Sequence, residues 1–358
     1  MTPDEQGANH LVRPSNVCRQ RPDRTLMNGR VGIQVAASTP AAELAAIAVE
    51  AEELGYSEVW LAEDYFDLGG VASAAIGLGA TSRIPVGLGV VAAPARHPAV
   101  TAMEFATLGT AYPGRFLAGI GHGSPGWVRQ MGLTPASPIG LLREATTSIV
   151  QLMAGDRVSA DGEYFKFDGV QLSQPPPEPV PLFTGVHGPR SLRLSGELAD
   201  GTLLGWLSCP RYVAWARQRV DEGRARAGRT DHHDVIALCV LSVSETDPDT
   251  ARGRVQRWAA PLVAAMAGSP QFAEGTTGIE KRQLLSWAES PDDDDHLLDD
   301  FWAAGTLEDC HRTIDRLLEA GADRVVLVPN PGGHYCTTPE MVEQIRVASR
   351  LAEPLPAP

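Results

Sequence analysis

The sequence predicts an α/β fold: one (β/α)8 TIM barrel, with an insertion before its last helix. Three observations carry that expectation. Eight short apolar segments alternate with stretches of helical periodicity along the 358 residues. One segment, residues 84–91 (IPVGLGVV), is almost continuously apolar, as strands covered on both faces are. Finally, no clean linker divides the chain, and the GxG of positions 119–121–123 lacks the downstream acidic residue of a dinucleotide fingerprint. At 43% hydrophobic side chains there is enough apolar surface for one large core. The competing architecture is a two-domain α/β chain split near Pro175, where the proline cluster 175–181 begins.

Residues 1–27 are polar, rich in Arg and Pro and aperiodic, and are expected to be a disordered extension; residues 28–358 make the barrel domain. Residues 31–36 are the first strand. Thr39-Pro40 then opens a helix that buries Leu44, Ile47, Ala48, Ala51 and Leu54 and stops at Gly55. The second strand is 58–61, followed by a small-residue helix over 69–80. After the third strand, 84–91, helical spacing resumes over 99–108, with Phe105 and Leu108 on one face and Val100 and Met103 near it. Strand four is 116–120, followed by a helix over about 138–153. A surface hairpin is expected over 158–167. Strand five (182–185), a helix from Gly188-Pro189, strand six (203–206) and an amphipathic helix (210–226) continue the alternation. Strand seven is 234–243, with a helix over 254–266. Residues 268–300, with the acidic run Asp292–Asp295, read as an insertion, either a lid or a solvated excursion. A well-marked helix (306–320), strand eight (323–328) and a final helix (339–352) close the chain.

A formal charge of −14 argues against nucleic acid or an anionic bilayer as partner, both of which call for a basic surface. The five cysteines are sparse and lack metal-finger spacing, which fits a reducing, cytoplasmic location. No apolar run reaches membrane-spanning length. The histidines are too scattered to propose a metal, and Asp231-His232-His233-Asp234 reads as a polar loop at the N-terminal face of the barrel.

A barrel carries its chemistry on the loops after its strands. Those loops offer Glu63, Asp64 and Tyr65 after strand two, Ala92 to His97 after strand three, GHGSPGW after strand four, and Gly185 to Pro189 after strand five. Adjacent carboxylates at 63 and 64 are candidates for general acid or base work, since crowding keeps one protonated more easily. Alternatively Glu63 faces the barrel as a hydrogen-bonding residue and Asp64 alone meets substrate. His97, beside Arg96 and before Pro98, reads as a loop fastener. Glycines around His122 and His187 allow close backbone approach to a ligand, and such loops at helix N-termini can hold phosphate. Trp60, Phe66, Trp127, Trp206 and Trp302 are candidates for an apolar substrate cleft, with Trp60 equally a core residue. A hydrolase built on Glu63 and Asp64 is disfavoured, because neighbours on one strand cannot flank a substrate.

At GYSEVWLAED (55–64), RHPAVTAMEFATL (96–108), YPGRFLAGIGHG (112–123), GPRSLRLSGELADG (188–201) and GTLEDCHRTIDRLLEAGADRVVL (305–327) the chain resembles the bacterial-luciferase-like oxidoreductases, in particular the branch using coenzyme F420. The resemblance implies the (β/α)8 barrel, F420 as cofactor with FMN as the alternative, a small organic substrate and a homodimer. It also implies a cis non-prolyl peptide at Gly89–Val90 backing the deazaflavin. The coenzyme tail is then expected along Gly121, His122 and Gly123 and along Gly185, Val186, His187, Gly188 and Pro189, with Glu63 also near the cofactor. One departure stands out: where relatives commonly carry Asp-His after strand two, this chain carries Glu63-Asp64, and the glutamate that several place after the strand-four GxG is Ser124. Activity is therefore expected as hydride transfer with Asp64, or else Glu63, as proton-handling group. With FMN the expected reaction is monooxygenation, and a barrel that binds flavin without turnover is the non-enzymatic alternative.

Overall fold

The computed structural model describes residues 29–276, 278–291, 297–329 and 337–352. The predicted extension, 1–27, and the acidic run at 292–295 lie outside the described residues. The first half runs β1 (Val31–Val35), α1 (Leu44–Glu53), β2 (Val59–Leu61), α2 (Gly70–Ala80), β3 (Val86–Leu88), β4 (Val91–Ala92), α3 (Pro98–Ala111) and β5 (Phe116–Gly121). Then come α4 (Pro125–Gln130), α5 (Pro138–Met153), the antiparallel hairpin β6 (Val158–Asp161) and β7 (Lys166–Val170), β8 (Leu182–Gly185), α6 (Pro189–Leu198) and β9 (Gly201–Leu204). The chain continues with α7 (Pro210–Ala227), β10 (Asp234–Val243), α8 (Pro248–Met266), α9 (Pro270–Gly275) and α10 (Lys281–Glu289). It ends with β11 (Trp302–Gly305), α11 (Leu307–Glu319), β12 (Arg324–Val328) and α12 (Thr338–Ala348).

Parallel pairing in the order β10–β12–β1–β2–β3–β5–β8–β9, with β9 returning to β10, closes an eight-stranded barrel. These are the eight strands read from the apolar segments. Inside it, Trp60, Leu117, Phe183, Leu203, Ile236, Leu238, Val326 and Val328 fill the lumen, and the Trp60 and Phe183 rings meet edge to face at 5.3 Å. Trp60 is core, not cleft. Outward side chains of the same strands pack on the helices in a second, larger apolar layer. At the N-terminal end, buried Arg324 reaches Glu58 at 2.5 Å and Asp234 at 3.2 Å.

Several local expectations change. The sixth strand is Gly201–Leu204, two residues earlier than its apolar run suggested, because its register with β8 and β10 begins at Gly201. On α3 the inward face is Thr101, Ala102, Phe105, Ala106, Leu108 and Gly109, while Val100 and Met103 are exposed on the other side. The insertion is not a bare solvated excursion. Phe272, Leu284, Trp287 and Phe301 are buried in it, and Phe272 stacks on Phe301 at 5.1 Å. It ends in β11, a strand unread in the sequence, which pairs with Val240–Val243 of β10 beyond the point where β9 stops. Trp302 belongs to this buried cluster, 5.9 Å from Trp287, and so lines no open cleft.

Candidate functional site

Two peptide bonds at the C-terminal mouth are cis, Gly89–Val90 and Tyr65–Phe66. The first lies where the family resemblance placed it, at the break between β3 and β4. Val90 is half-buried and stands as a bulge over the inner apolar cluster. Its seat is made of glycine. A Cβ on Gly121 would lie 2.8 Å from Val90 Cγ2 and from the Gly185 carbonyl oxygen, and one on Gly185 would lie 3.0 Å from Val90. Below the bulge, the Gln34 Oε1 atom accepts a hydrogen bond from the Trp206 Nε1–H at 2.9 Å, tying β1 to the loop after β9 across the mouth. Trp206 packs in turn on Trp258 of α8, at 5.8 Å. Gln34 was not singled out in the sequence; a polar residue inside an apolar strand was the available signal.

The loop after β2 separates its two carboxylates by environment. Glu63 is buried, and Arg96 clamps it with two hydrogen bonds, Nη1 to Oε1 at 2.7 Å and Nη2 to Oε2 at 2.8 Å. The Gly70 backbone N–H donates to Oε2 at 2.9 Å. Both oxygens are thus engaged, which is the hydrogen-bonding alternative read for Glu63. Asp64 is half-buried at the start of a turn, with the Asp67 N–H donating to its backbone carbonyl at 2.9 Å. Burial first, then the Asp67 and Glu63 charges, push its carboxyl up to about 6. Burial, reinforced by the Glu63 carboxylate, also pushes the Tyr65 phenol up to about 12. Tyr65 lies between Phe66, at 6.0 Å, and Trp127 of α4, at 6.2 Å, while Phe66 is 70% exposed. His97 fastens α3 as expected: its Nδ1 accepts from the Ala99 N–H at 3.2 Å, and its ring lies 4.9 Å from Phe167.

The loops after β5 and β8 face one another through histidine. His122 Nε2 bonds Ser191 Oγ at 2.9 Å, and its buried Nδ1 lacks a partner of ordinary hydrogen-bond geometry. Burial and the neighbouring His187 hold the His122 imidazole below its usual range. His187 keeps an exposed edge, yet the protein packed around it lowers its imidazole too, and its carbonyl accepts from the Tyr212 hydroxyl at 2.8 Å. Val186 points into the outer core, so only its backbone is offered to the mouth. Gly123 has φ +72, and a Cβ there would meet Ala92 at 2.6 Å. Gly188 differs. It precedes Pro189 at the start of α6 without a side-chain cap, and a Cβ added there would meet nothing. Ser191 was missed in the sequence, although it follows Gly188 and Pro189 in the motif GPRS.

At the opposite, N-terminal end, His232, Asp234 and Asp323 bring one ligand atom each within 4.8 Å of one another. Their carboxylates already serve arginines, Asp234 with Arg324 and Asp323 with Arg217, and Asp323 also accepts from the Val235 N–H. The expected polar loop is met only at Asp231 and His232, which are exposed; His233 and Asp234 are buried, and Asp234 opens β10.

The luciferase-like monooxygenase family model matches residues 25–324. The 5,10-methylenetetrahydromethanopterin reductase of Archaeoglobus fulgidus is 32% identical over 293 residues, covering 77% of this chain and 86% of its own. The F420-dependent glucose-6-phosphate dehydrogenase of Nakamurella multipartita is 32% identical over 282 residues, 71% of this chain and 81% of its own. Among solved structures, the coenzyme F420-dependent tetrahydromethanopterin reductase from Methanopyrus kandleri superposes with a TM-score of 0.71 at 23% identity. It covers 90% of this chain and 98% of that one.

Proposed function

The chain belongs to the luciferase-like monooxygenase family, and from that premise we propose an F420-dependent oxidoreductase that moves a hydride between the deazaflavin and a small organic molecule. The observation that carries this reading is Val90, half-buried in the mouth over the inner apolar cluster and seated on Gly121 and Gly185. A flat ring can lie against such a convex backbone. The residues around it fit the rest of the coenzyme. The open space at Gly188 admits a phosphate to the start of α6.

Bound F420 supplies hydride chemistry at C5. The remaining work falls to this chain. Val90, Gly121 and Gly185 orient the ring, while His122, Gly123, His187, Gly188 and Pro189 hold the tail. Glu63 positions the mouth: fixed by Arg96 and Gly70, it keeps the loop after β2 in place and adds negative charge beside Asp64. Asp64 holds or accepts the proton that accompanies the hydride, because its carboxyl titrates near the working pH of an enzyme. The reading includes a homodimer, supported by Ile76 on α2 and Val100 and Met103 on α3, large apolar side chains exposed on neighbouring outer helices.

The test is a parallel titration of the purified protein with F420 and FMN, followed by ring absorbance and by protein fluorescence. The expected result is saturable F420 binding with weaker or no FMN binding. Micromolar FMN binding with none for F420 overturns the reading in favour of a flavin monooxygenase.

A further inference from the structure

We propose that Tyr65, Phe66 and Trp127 form an aromatic shelf that receives the apolar body of an uncharged carbonyl substrate, placing its carbonyl oxygen at Asp64. The inference rests on the oxidoreductase reading and narrows its substrate. A phenylalanine 70% exposed on a loop at a barrel mouth is a large apolar surface left in water. It is not isolated. Phe66 and Tyr65 lie 6.0 Å apart with planes inclined by 32°, and Trp127 meets Tyr65 at 6.2 Å with planes inclined by 55°. Together these rings offer a broad face to a planar or cyclic group.

Charge then excludes a class. Glu63, Asp64 and Asp67 stand within five residues of one another, beside the shelf. Arg96 gives two bonds to Glu63 and lies 3.7 Å from Glu104. Among the described residues Asp64 and Asp67 have no ion-pair partner, so this sector presents negative charge, which repels a phosphorylated or carboxylated substrate. The glucose-6-phosphate dehydrogenase similarity thus does not carry its substrate across.

In the reductive direction the carbonyl π bond is replaced by a C–H and an O–H bond. The hydride comes from the reduced deazaflavin, which is thereby oxidised, and the proton comes from the acid form of Asp64, which takes one back from solvent. Raised protonation of Asp64 at neutral pH suits it to that task.

The test uses the full chain saturated with oxidised F420 and acetophenone as the probe, with binding followed by equilibrium dialysis and by quenching of tryptophan fluorescence. Acetophenone should bind at least about tenfold more tightly than 4-carboxyacetophenone or glucose 6-phosphate. Phe66→Ala should weaken acetophenone about tenfold, from the apolar area it no longer covers, and leave the F420 dissociation constant within about twofold. Trp127→Leu should act in the same direction, with thermal unfolding checked because Trp127 is half-buried. Undetectable acetophenone binding, equal binding by wild type and Phe66→Ala, or a preference for the anionic probes overturns the proposal while F420 still binds. Failure of F420 itself to bind overturns the oxidoreductase reading instead.

Discussion

Asp64 and Glu63 are neighbours in sequence and opposites in chemistry. Glu63 is saturated by Arg96 and Gly70, whereas Asp64 has its carboxyl raised to about 6, chiefly by burial. The consequence for catalysis has a sign. In the reductive direction the acid form is needed, so turnover should fall as pH rises through about 6; in the oxidative direction it should rise. Asp64→Asn keeps the size and removes the proton, and should lower turnover by ~10²–10⁴ and flatten that limb of the profile. Steady-state rates from pH 5 to 8 check this, and activity surviving within a few-fold assigns the proton to another group. The same substitution acts on stability in the opposite sense. A carboxyl whose folded value lies above its ordinary 3.8 opposes folding once ionised, a cost that grows as pH rises from near 4 to about 6 and stays above it. Asp64→Asn should therefore raise Tm at pH 8 and leave it unchanged near pH 4. The sequence made Asp64 legible in part, because burial and the Glu63 charge could be argued from position, whereas the Asp67 charge, brought alongside by the turn, was not singled out. Arg96 as the partner of Glu63 was not legible: 33 residues separate them, and only closure of β2 against the loop after β3 brings them together.

At the scale of elements, the loops after β5 and β8 look alike in sequence, each a histidine between glycines, and the structure divides them. Gly123 is required by the protein itself, with φ +72 and Ala92 close by, so Gly123→Val should destabilise the fold as well as weaken cofactor binding. Gly188 has φ −84 and open space where a Cβ would go. Gly188→Val should then leave Tm within about 2 °C, as expected of a substitution free of protein contacts, while weakening F420 at least about tenfold through an intruding side chain. Calorimetry and F420 titration on the same samples separate the two glycines; equal loss of stability at both would place the need for glycine in folding alone. Strands were legible where both faces are apolar, as at residues 84–91. β11 was not, because Trp-Ala-Ala-Gly lacks a β-branched run and its pairing is decided by β10, which extends past β9. The inward face of α3 was misread for a related reason: Val100 and Met103 are apolar but lie on the outer surface, where the smaller Ala102 and Gly109 face inward. Met103→Asp places a charge on that surface. If the homodimer uses it, sedimentation should show monomers with Tm little changed.

For the whole molecule the question is whether the barrel behaves as one unit or divides near Pro175. The proline cluster made a division plausible from sequence, and local patterns could not decide it, because closure depends on pairings between distant segments. The ring joins β1 to β12 and β5 to β8, so each half of the chain supplies strands that only the other half can complete. Arg324 sits where this closure is made. It begins β12, pairs with Ile236 of β10 in register, and reaches Glu58 before β2 and Asp234 at the start of β10. All three side chains are almost fully buried. Replacing Arg324 with Met keeps much of the volume but takes the guanidinium away from Glu58 and Asp234 at the barrel floor, a loss of about 3–5 kcal/mol for breaking a buried pair. If the barrel is a single cooperative unit, that loss shifts the entire denaturant transition, read identically by tryptophan fluorescence and by far-UV circular dichroism. Two separate transitions, with only one displaced by Arg324→Met, would mean that the halves fold independently and that closure contributes little to either.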